Sequence, residues 1–186
     1  IWALTQNGTG NIHFENVADA SLQDDVVAVG EELTELKFTA ETSGTYHIYD
    51  DNDKPSYFRI TRKSAAPEVG NGGGDNLTDV WDFGGTQLDD SQYNNKLTED
   101  IINSWYDESI TPGTEGNTLP DFTAGALSFT GGGSDRLRTT NMNLTRYDDD
   151  IDDHEEFKGR VYINSSGATD RFFSLELEEG DEVTIW

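Results

Sequence analysis

The chain of 186 residues contains no cysteine, only three histidines, 12 basic residues against 37 acidic ones, and no long apolar run. Each shortage excludes something. Without cysteine there are no disulfides, no thiolate metal sites and no cysteine nucleophile. No window approaches the roughly 20 consecutive apolar residues that a bilayer span requires, so membrane insertion is not expected. The shortage of lysine and arginine leaves a net charge of -25, which repels phosphate backbones and anionic lipid, and nucleic acid is not expected as a partner. Such a charge suits a salty or calcium-rich medium, where cations screen self-repulsion. His13, His47 and His154 stand far apart with no catalytic motif around them, so no enzyme is expected. With 37 acids, adjacent carboxylates arise everywhere and do not mark a glycosidase. Gly72-Gly73-Gly74 and Gly131-Gly132-Gly133 are not followed by Gly-Lys-Ser/Thr and read as flexible turns rather than phosphate loops. No secretory signal, initiator methionine or tag is recognisable. The expectation is a mature segment of a secreted protein, extracellular or at the cell surface. Sequons at Asn7, Asn76, Asn143 and Asn164 are compatible with a glycoprotein.

What the chain does contain is alternation. Ser174-Leu175-Glu176-Leu177-Glu178 alternates polar and apolar, Glu179-Gly180-Asp181 has turn chemistry, and Glu182-Val183-Thr184-Ile185-Trp186 starts another strand. Ile1-Trp2-Ala3-Leu4-Thr5-Gln6 reads as a strand leading to a hairpin at Asn7-Gly8 and a second strand at Ile12-His13-Phe14-Glu15. Joined, the two ends form one continuous strand, which predicts a repeating or permuted unit. Leu33, Leu36 and Phe38 lie in a segment that Thr42-Ser43-Gly44 turns into Thr45-Tyr46-His47-Ile48-Tyr49-Asp50, predicting a hairpin. Its period of two buries Tyr46, Ile48 and Asp50 and leaves Thr45, His47 and Tyr49 wet. Ser56 to Arg62 is a further strand.

Residues 64–79 are small, polar and glycine-rich, the composition of a linker between 1–63 and 80–186. Within the second part a strand opens at Val80-Trp81-Asp82-Phe83. One helix is predicted over 91–106, because Leu97, Ile101, Ile102 and Trp105 recur at helical offsets; it would cap one end of the sheets, with Ile102 and Trp105 facing the core. Further short strands lie around Ala126 to Thr130, Asp135 to Asn141, Leu144 to Tyr147 and Phe157 to Asn164. Many short strands and one capping helix predict an all-β fold, an antiparallel β-sandwich of jelly-roll type with a single core.

Trp81-Asp82-Phe83-Gly84, Tyr93-Asn94-Asn95, Ile101 to Tyr106, Arg136 to Asn141 and Gly159-Arg160-Val161-Tyr162 resemble the non-catalytic β-sandwich modules attached to secreted bacterial pectate lyases and related polysaccharide-processing proteins. The resemblance continues through Phe172 to Trp186, then Ala3 to Phe14, then Tyr46 to Ile60, so it covers most of the chain in permuted order, from Val80 round to Arg62 or Lys63. It implies a carbohydrate-associated extracellular module and transfers no binding residue.

Three sets of candidate residues follow. Asp148-Asp149-Asp150-Ile151-Asp152-Asp153-His154-Glu155-Glu156 places seven carboxylates in nine residues, and hard oxygen ligands suit calcium, although the spacing is not that of an EF-hand. Asp51 and Asp53, within Asp50-Asp51-Asn52-Asp53, form a second calcium candidate. For a pectin-like glycan, Tyr57, Tyr106, Tyr147 and Tyr162 near Arg59, Arg138, Arg146 and Arg160 offer surface aromatics and cations. An acidic glycan would need calcium to bridge the two carboxylate populations. Ile1, Trp2, Leu4, Val183, Ile185 and Trp186 carry apolar surface that must be buried, at roughly 1.5–3 kcal/mol per large side chain. They point to strand pairing with another copy, in a tandem array or filament. A purely structural fibre subunit and an engineered circular permutant of a carbohydrate-binding module are the alternatives. The expected partners are thus a polysaccharide or other copies of the chain.

Overall fold

The computed structural model describes residues 3–5, 9–30, 34–65, 78–83, 93–94, 97, 101–102, 104–106, 118–138 and 160–185; for 3–5, 93–94 and 138 it describes backbone alone. The described chain is all-β. In order, the strands are β1 (Ala3–Thr5), β2 (Gly10–Asn16), β3 (Asp24–Val29), β4 (Leu36–Thr39), β5 (Gly44–Asp50), β6 (Pro55–Tyr57), β7 (Arg59–Lys63) and β8 (Thr78–Asp82). They continue with β9 (Tyr93–Asn94), β10 (Phe122–Ala124), β11 (Leu127–Thr130), β12 (Arg136–Arg138), β13 (Arg160–Tyr162), β14 (Phe172–Leu177) and β15 (Glu182–Ile185).

They form a six-stranded sheet, β10-β11-β14-β5-β2-β3, a five-stranded sheet, β4-β15-β7-β8-β9, and a four-stranded sheet, β1-β6-β13-β12. Pairing is antiparallel except between β8 and β9. The alternation in sequence sets the inner face of the six-stranded sheet: Ile12 and Phe14, Tyr46 and Ile48, Phe173, Leu175 and Leu177, and Leu127 and Phe129 are all buried. Opposite them lie Leu36, Phe38, Tyr57, Ile60, Trp81, Phe83, Val183 and Ile185, in one continuous core. Rings bridge the layers: Phe14 stacks on Phe38 (4.9 Å), and Phe173 meets Tyr57 (5.2 Å) and Phe83 (5.7 Å). Trp81 Nε1 donates to the Ala124 carbonyl at 2.7 Å. This is the arrangement of a β-sandwich.

Three local expectations are corrected by the topology. The turn at Thr42-Ser43-Gly44 does not close a hairpin: β4 pairs with β15, whereas β5 pairs with β2 and β14. The chain there arches from one layer to the other: Tyr46 stacks on Phe14 from the neighbouring strand of the same sheet, whereas Phe38 reaches Phe14 from the opposite layer. The same holds at the start, where β1 pairs with β6 and β2 belongs to the six-stranded sheet. The helix over 91–106 is not seen; Tyr93–Asn94 is a strand, and among the described residues helical backbone is confined to Ile101 and Ile102. The buried side of that stretch is nonetheless as read, with Leu97 and Ile102 buried and Trp105 stacked on Phe122 at 3.8 Å. Ile101 is the exception and faces outward.

The segments flanking the glycine-rich stretch pair directly, Lys63 opposite Thr78 and Arg59 opposite Asp82. Residues on both sides of it therefore share one core. The chain-end strands follow a single ribbon. β15 runs antiparallel to β7, with Ile185 opposite Ile60, and β1 runs antiparallel to β6, with Ala3 opposite Tyr57. They lie end to end, so the pairing expected between copies is supplied within one chain for residues 3–5 and 182–185. Val183 and Ile185 have no solvent exposure; they are core residues of this chain and not an assembly surface.

Candidate functional site

The outer face of the six-stranded sheet carries the residues that alternation turns away from the core. Asn11, His13 and Glu15 of β2 lie beside Thr45, His47 and Tyr49 of β5, with Phe172, Ser174 and Glu176 of β14 next in line. Register sets His13 opposite Tyr49, and their rings stack 4.6 Å apart and 3° from parallel. His47 stacks on Phe172 at 3.7 Å and 16°. Two ring pairs thus lie along one open sheet face.

Carboxylates border both pairs. His13 Nδ1 lies 2.9 Å from Asp24 Oδ1 on β3, and Nε2 lies 3.2 Å from Asp51 Oδ2, within ion-pair reach. Asp51 also accepts from Asn11 Nδ2 at 3.0 Å. An imidazole with an acid on each nitrogen is best served by carrying both protons. Burial pulls the His13 pKa down, but the hydrogen bonds and charges of Asp24 and Asp51 outweigh it, and the net shift is upward. The same contacts lower the Asp51 pKa against the upward pull of its desolvation. The Tyr49 hydroxyl donates to Glu15, and burial together with that carboxylate drives its pKa up. Thr45 Oγ1 donates to Glu176 at 2.5 Å. His47, stacked on Phe172, differs, because desolvation outweighs the Glu15 charge and lowers its pKa. The face therefore combines two imidazoles whose pKa values are shifted in opposite directions, two aromatic rings and a border of acceptor oxygens.

Most of the residues read as glycan contacts are elsewhere. Tyr57 is 1% exposed and Tyr106 6% exposed; both are corrections to the surface reading, since a ring on an inward-facing strand or beneath the 101–106 turn fills the core. Arg59 is half-buried, with its Nε donating to Asp82 Oδ2 at 2.7 Å. The Arg160 guanidinium sits over the Phe58 ring, 6.0 Å from its centroid. Arg138 is placed by its backbone on β12, opposite Arg160, and Tyr147 lies outside the described residues.

The calcium candidates divide in the same way. Asp148, Asp149, Asp150, Asp152 and Asp153 lie outside the described residues. In the other loop, Asp50 Oδ1 accepts from the backbone N–H groups of Asn52 (2.8 Å) and Asp53 (2.5 Å), closing a turn. Asp51 is committed to Asn11 and His13, and no cluster of three metal-ligating side chains occurs among the described residues. Asp51 could join a calcium cage, which takes six to eight oxygens, only by giving up those contacts. Of the assembly residues, Leu4 lies on β1 opposite Ser56, and Ile1, Trp2 and Trp186 lie outside the described residues.

His47, Tyr49, His13 and Phe172 were missed because each partner is remote in sequence. The signal was present in part: alternation already turned His47 and Tyr49 outward, and Phe172 precedes the inward series Phe173, Leu175, Leu177. No protein-family model, curated protein or solved structure matches the chain.

Proposed function

We propose that the chain is a non-catalytic, extracellular β-sandwich module of jelly-roll type that binds polysaccharide on the outer face of its six-stranded sheet. The observation that carries this reading is the pair of ring stacks, His47–Phe172 and His13–Tyr49, on an open face edged by acceptor carboxylates. Flat rings take the C–H faces of sugars, and carboxylates accept from sugar hydroxyls. Glu15, Asp24, Asp51 and Glu176 make this border acidic, so it suits a neutral or amino-sugar polysaccharide better than an acidic pectic chain. The titratable groups hold one another: His13 is bracketed by two acids and Tyr49 is tied to Glu15. That supports a binding role rather than proton transfer.

Retention of the purified chain on insoluble neutral and amino-sugar polysaccharides tests the reading. Phe172→Ala and His47→Ala should each weaken retention by about 3- to 10-fold, the range for loss of one ring contact, with unchanged folding. Equal retention of both variants would remove the site.

A second reading is favoured by one further observation. β15 and β1 follow one another along the β6–β7 ribbon of their own chain, and exchange of β1 for the β1 of a next copy at the same place would turn this closed unit into a structural repeat in an array. Solution mass distinguishes the forms: in-chain closure gives a monomer and copy-to-copy pairing gives polymers.

A further inference from the structure

β3 ends the six-stranded sheet and β4 ends the five-stranded sheet, and a cleft of about 410 Å³ opens between them. The backbone directions at this flank follow from the ladders. Asn16 N–H donates to the Gln23 carbonyl at 2.9 Å, and hydrogen-bonded pairs alternate in an antiparallel ladder. Asp25, Val27 and Val29 therefore turn their backbone groups toward β2, while Asp24, Val26 and Ala28 turn theirs outward. On β4 the bond from Ala40 N–H to Asp181 O (2.9 Å) sets the same alternation and turns Lys37 and Thr39 outward. The Thr39 carbonyl indeed meets the Gln23 amide across the gap at 2.8 Å. Gln23, 6% exposed, also accepts from Glu41 N–H (2.9 Å) and the Tyr46 hydroxyl (3.0 Å). Its side chain links the two sheet edges at one end of the cleft, in the place a strand would occupy.

Beyond Asp24 and Asp25, the described part of the β3 edge has none of the usual protection. Its sequence, Asp24-Asp25-Val26-Val27-Ala28-Val29, contains no lysine, proline or glycine. Val26 is 49% exposed, and Val17 (46%) and Leu22 (45%) flank the turn that leads into it. A run of strongly β-forming residues with outward backbone groups is a template for another strand.

Charge selects among the possible occupants. Asp25 and Glu41 line the cleft against Lys37, which is itself 3.5 Å from Glu35. A second copy would bring the same net charge of -25 to an already acidic edge. We infer that β3 accepts an extended segment of another protein in which basic and apolar residues alternate, adding it as a seventh strand. The lysines or arginines point into the cleft and reach Asp25 and Glu41, and the apolar side chains, on the outer face, pack on Val26.

The test uses the whole chain with a fluorescent, end-blocked Lys-Val-Lys-Val-Lys-Val peptide. Controls are a Lys-Pro peptide of equal charge and a Lys-Val peptide N-methylated at its valines. The Lys-Val peptide should bind at least 10-fold more tightly than either control and slow amide exchange at Val26 and Ala28. Val26→Pro, which deletes one outward N–H without changing charge, should reduce Lys-Val binding at least 10-fold. Because N-methylation alters only the ligand, it tests the backbone pairing even where the protein variant folds poorly. Equal binding of the three peptides with unchanged exchange would overturn the inference and leave only attraction to an acidic chain. Self-association of the peptide-free chain that protects the same two amides would overturn it in favour of a second copy.

Discussion

Arg171 Nη1 lies 2.9 Å from Oδ1 of Asp135, a carboxylate with no solvent exposure. The same carboxylate accepts from the backbone N–H groups of Asn164 (3.0 Å) and Gly132 (2.7 Å), so this buried charge is paired and hydrogen-bonded on both oxygens. The glycine triplet at 131–133 is thereby more than a flexible turn. A Cβ on Gly132 would stand 2.1 Å from Arg171 Nε, so only glycine lets the guanidinium close over the loop.

Removing one partner of this pair leaves the other buried alone. Asp135→Ala and Arg171→Ala should each destabilise the fold by about 3–5 kcal/mol, read from urea unfolding. Gly132→Ala should act in the same direction by displacing Arg171, and should add little to Arg171→Ala in a double mutant. Full additivity would show that the two positions do not communicate.

The His13 bracket predicts a specific pH dependence. Because its folded pKa is raised, the imidazolium contributes stability fully below its unfolded pKa, and that contribution fades as pH rises through the folded value. Asp51, with a lowered pKa, contributes in the opposite sense: its share is present above its unfolded pKa and is lost as pH falls through the folded one. The Tm difference between the natural chain and His13→Gln should therefore be largest in mildly acidic solution and shrink toward pH 8. Comparison with the variant cancels the contributions of His47, Asp50 and the overall charge. A constant difference across that range would refute the bracket.

Gly167 couples a distant turn to the same bracket. Its φ is +62°, and a Cβ there would lie 2.9 Å from the backbone carbonyl of Asp51. Gly167→Ala should cost about 1–2 kcal/mol and, by shifting Asp51, lower the His13 pKa measured by NMR titration. An unchanged His13 titration would show that the turn and the bracket are independent.

Trp81 ties the two layers through its bond to the Ala124 carbonyl, with both ends buried. Trp81→Phe removes the donor, strands the carbonyl and opens space, and should cost about 2–4 kcal/mol. A loss below about 1 kcal/mol would mean that the carbonyl finds another partner.

Any calcium effect is expected from the acidic run at 148–156, because Asp51 is already committed to Asn11 and His13. Millimolar calcium should raise Tm relative to chelator, as a ligand of the folded state does, and Asp51→Asn should leave that rise intact. Equal melting in calcium and chelator would end the proposal.

Much of the candidate face was legible one strand at a time. The period of two in Thr45 to Asp50 correctly divided Tyr46, Ile48 and Asp50 from Thr45, His47 and Tyr49. The tyrosines read as surface contacts failed for a definite reason. Pro55–Tyr57 is too short to show an alternation, and all three of its residues are buried between neighbouring strands. Tyr106 ends a stretch whose helical spacing continues for only a turn among the described residues.

The sequence alone determined which side chains point inward in strands long enough to alternate, such as Thr45 to Asp50 and Ser174 to Glu178, because successive residues of an extended chain must face opposite sides and apolar ones leave water. It determined the all-β class, the single core, and the burial of Val183 and Ile185. Which strand lies beside which was decided only by the tertiary structure. Alternation is identical for a hairpin and for an arch between layers, so Thr42-Ser43-Gly44 and Asn7-Gly8 read as hairpins although their flanking strands belong to different sheets. The pairing of β14 with β5, the His47–Phe172 stack it creates and the open β3 edge all arise from contacts between residues remote in sequence. Local periodicity sets a strand's faces; its neighbours are chosen by how the whole set of inner faces fills one core.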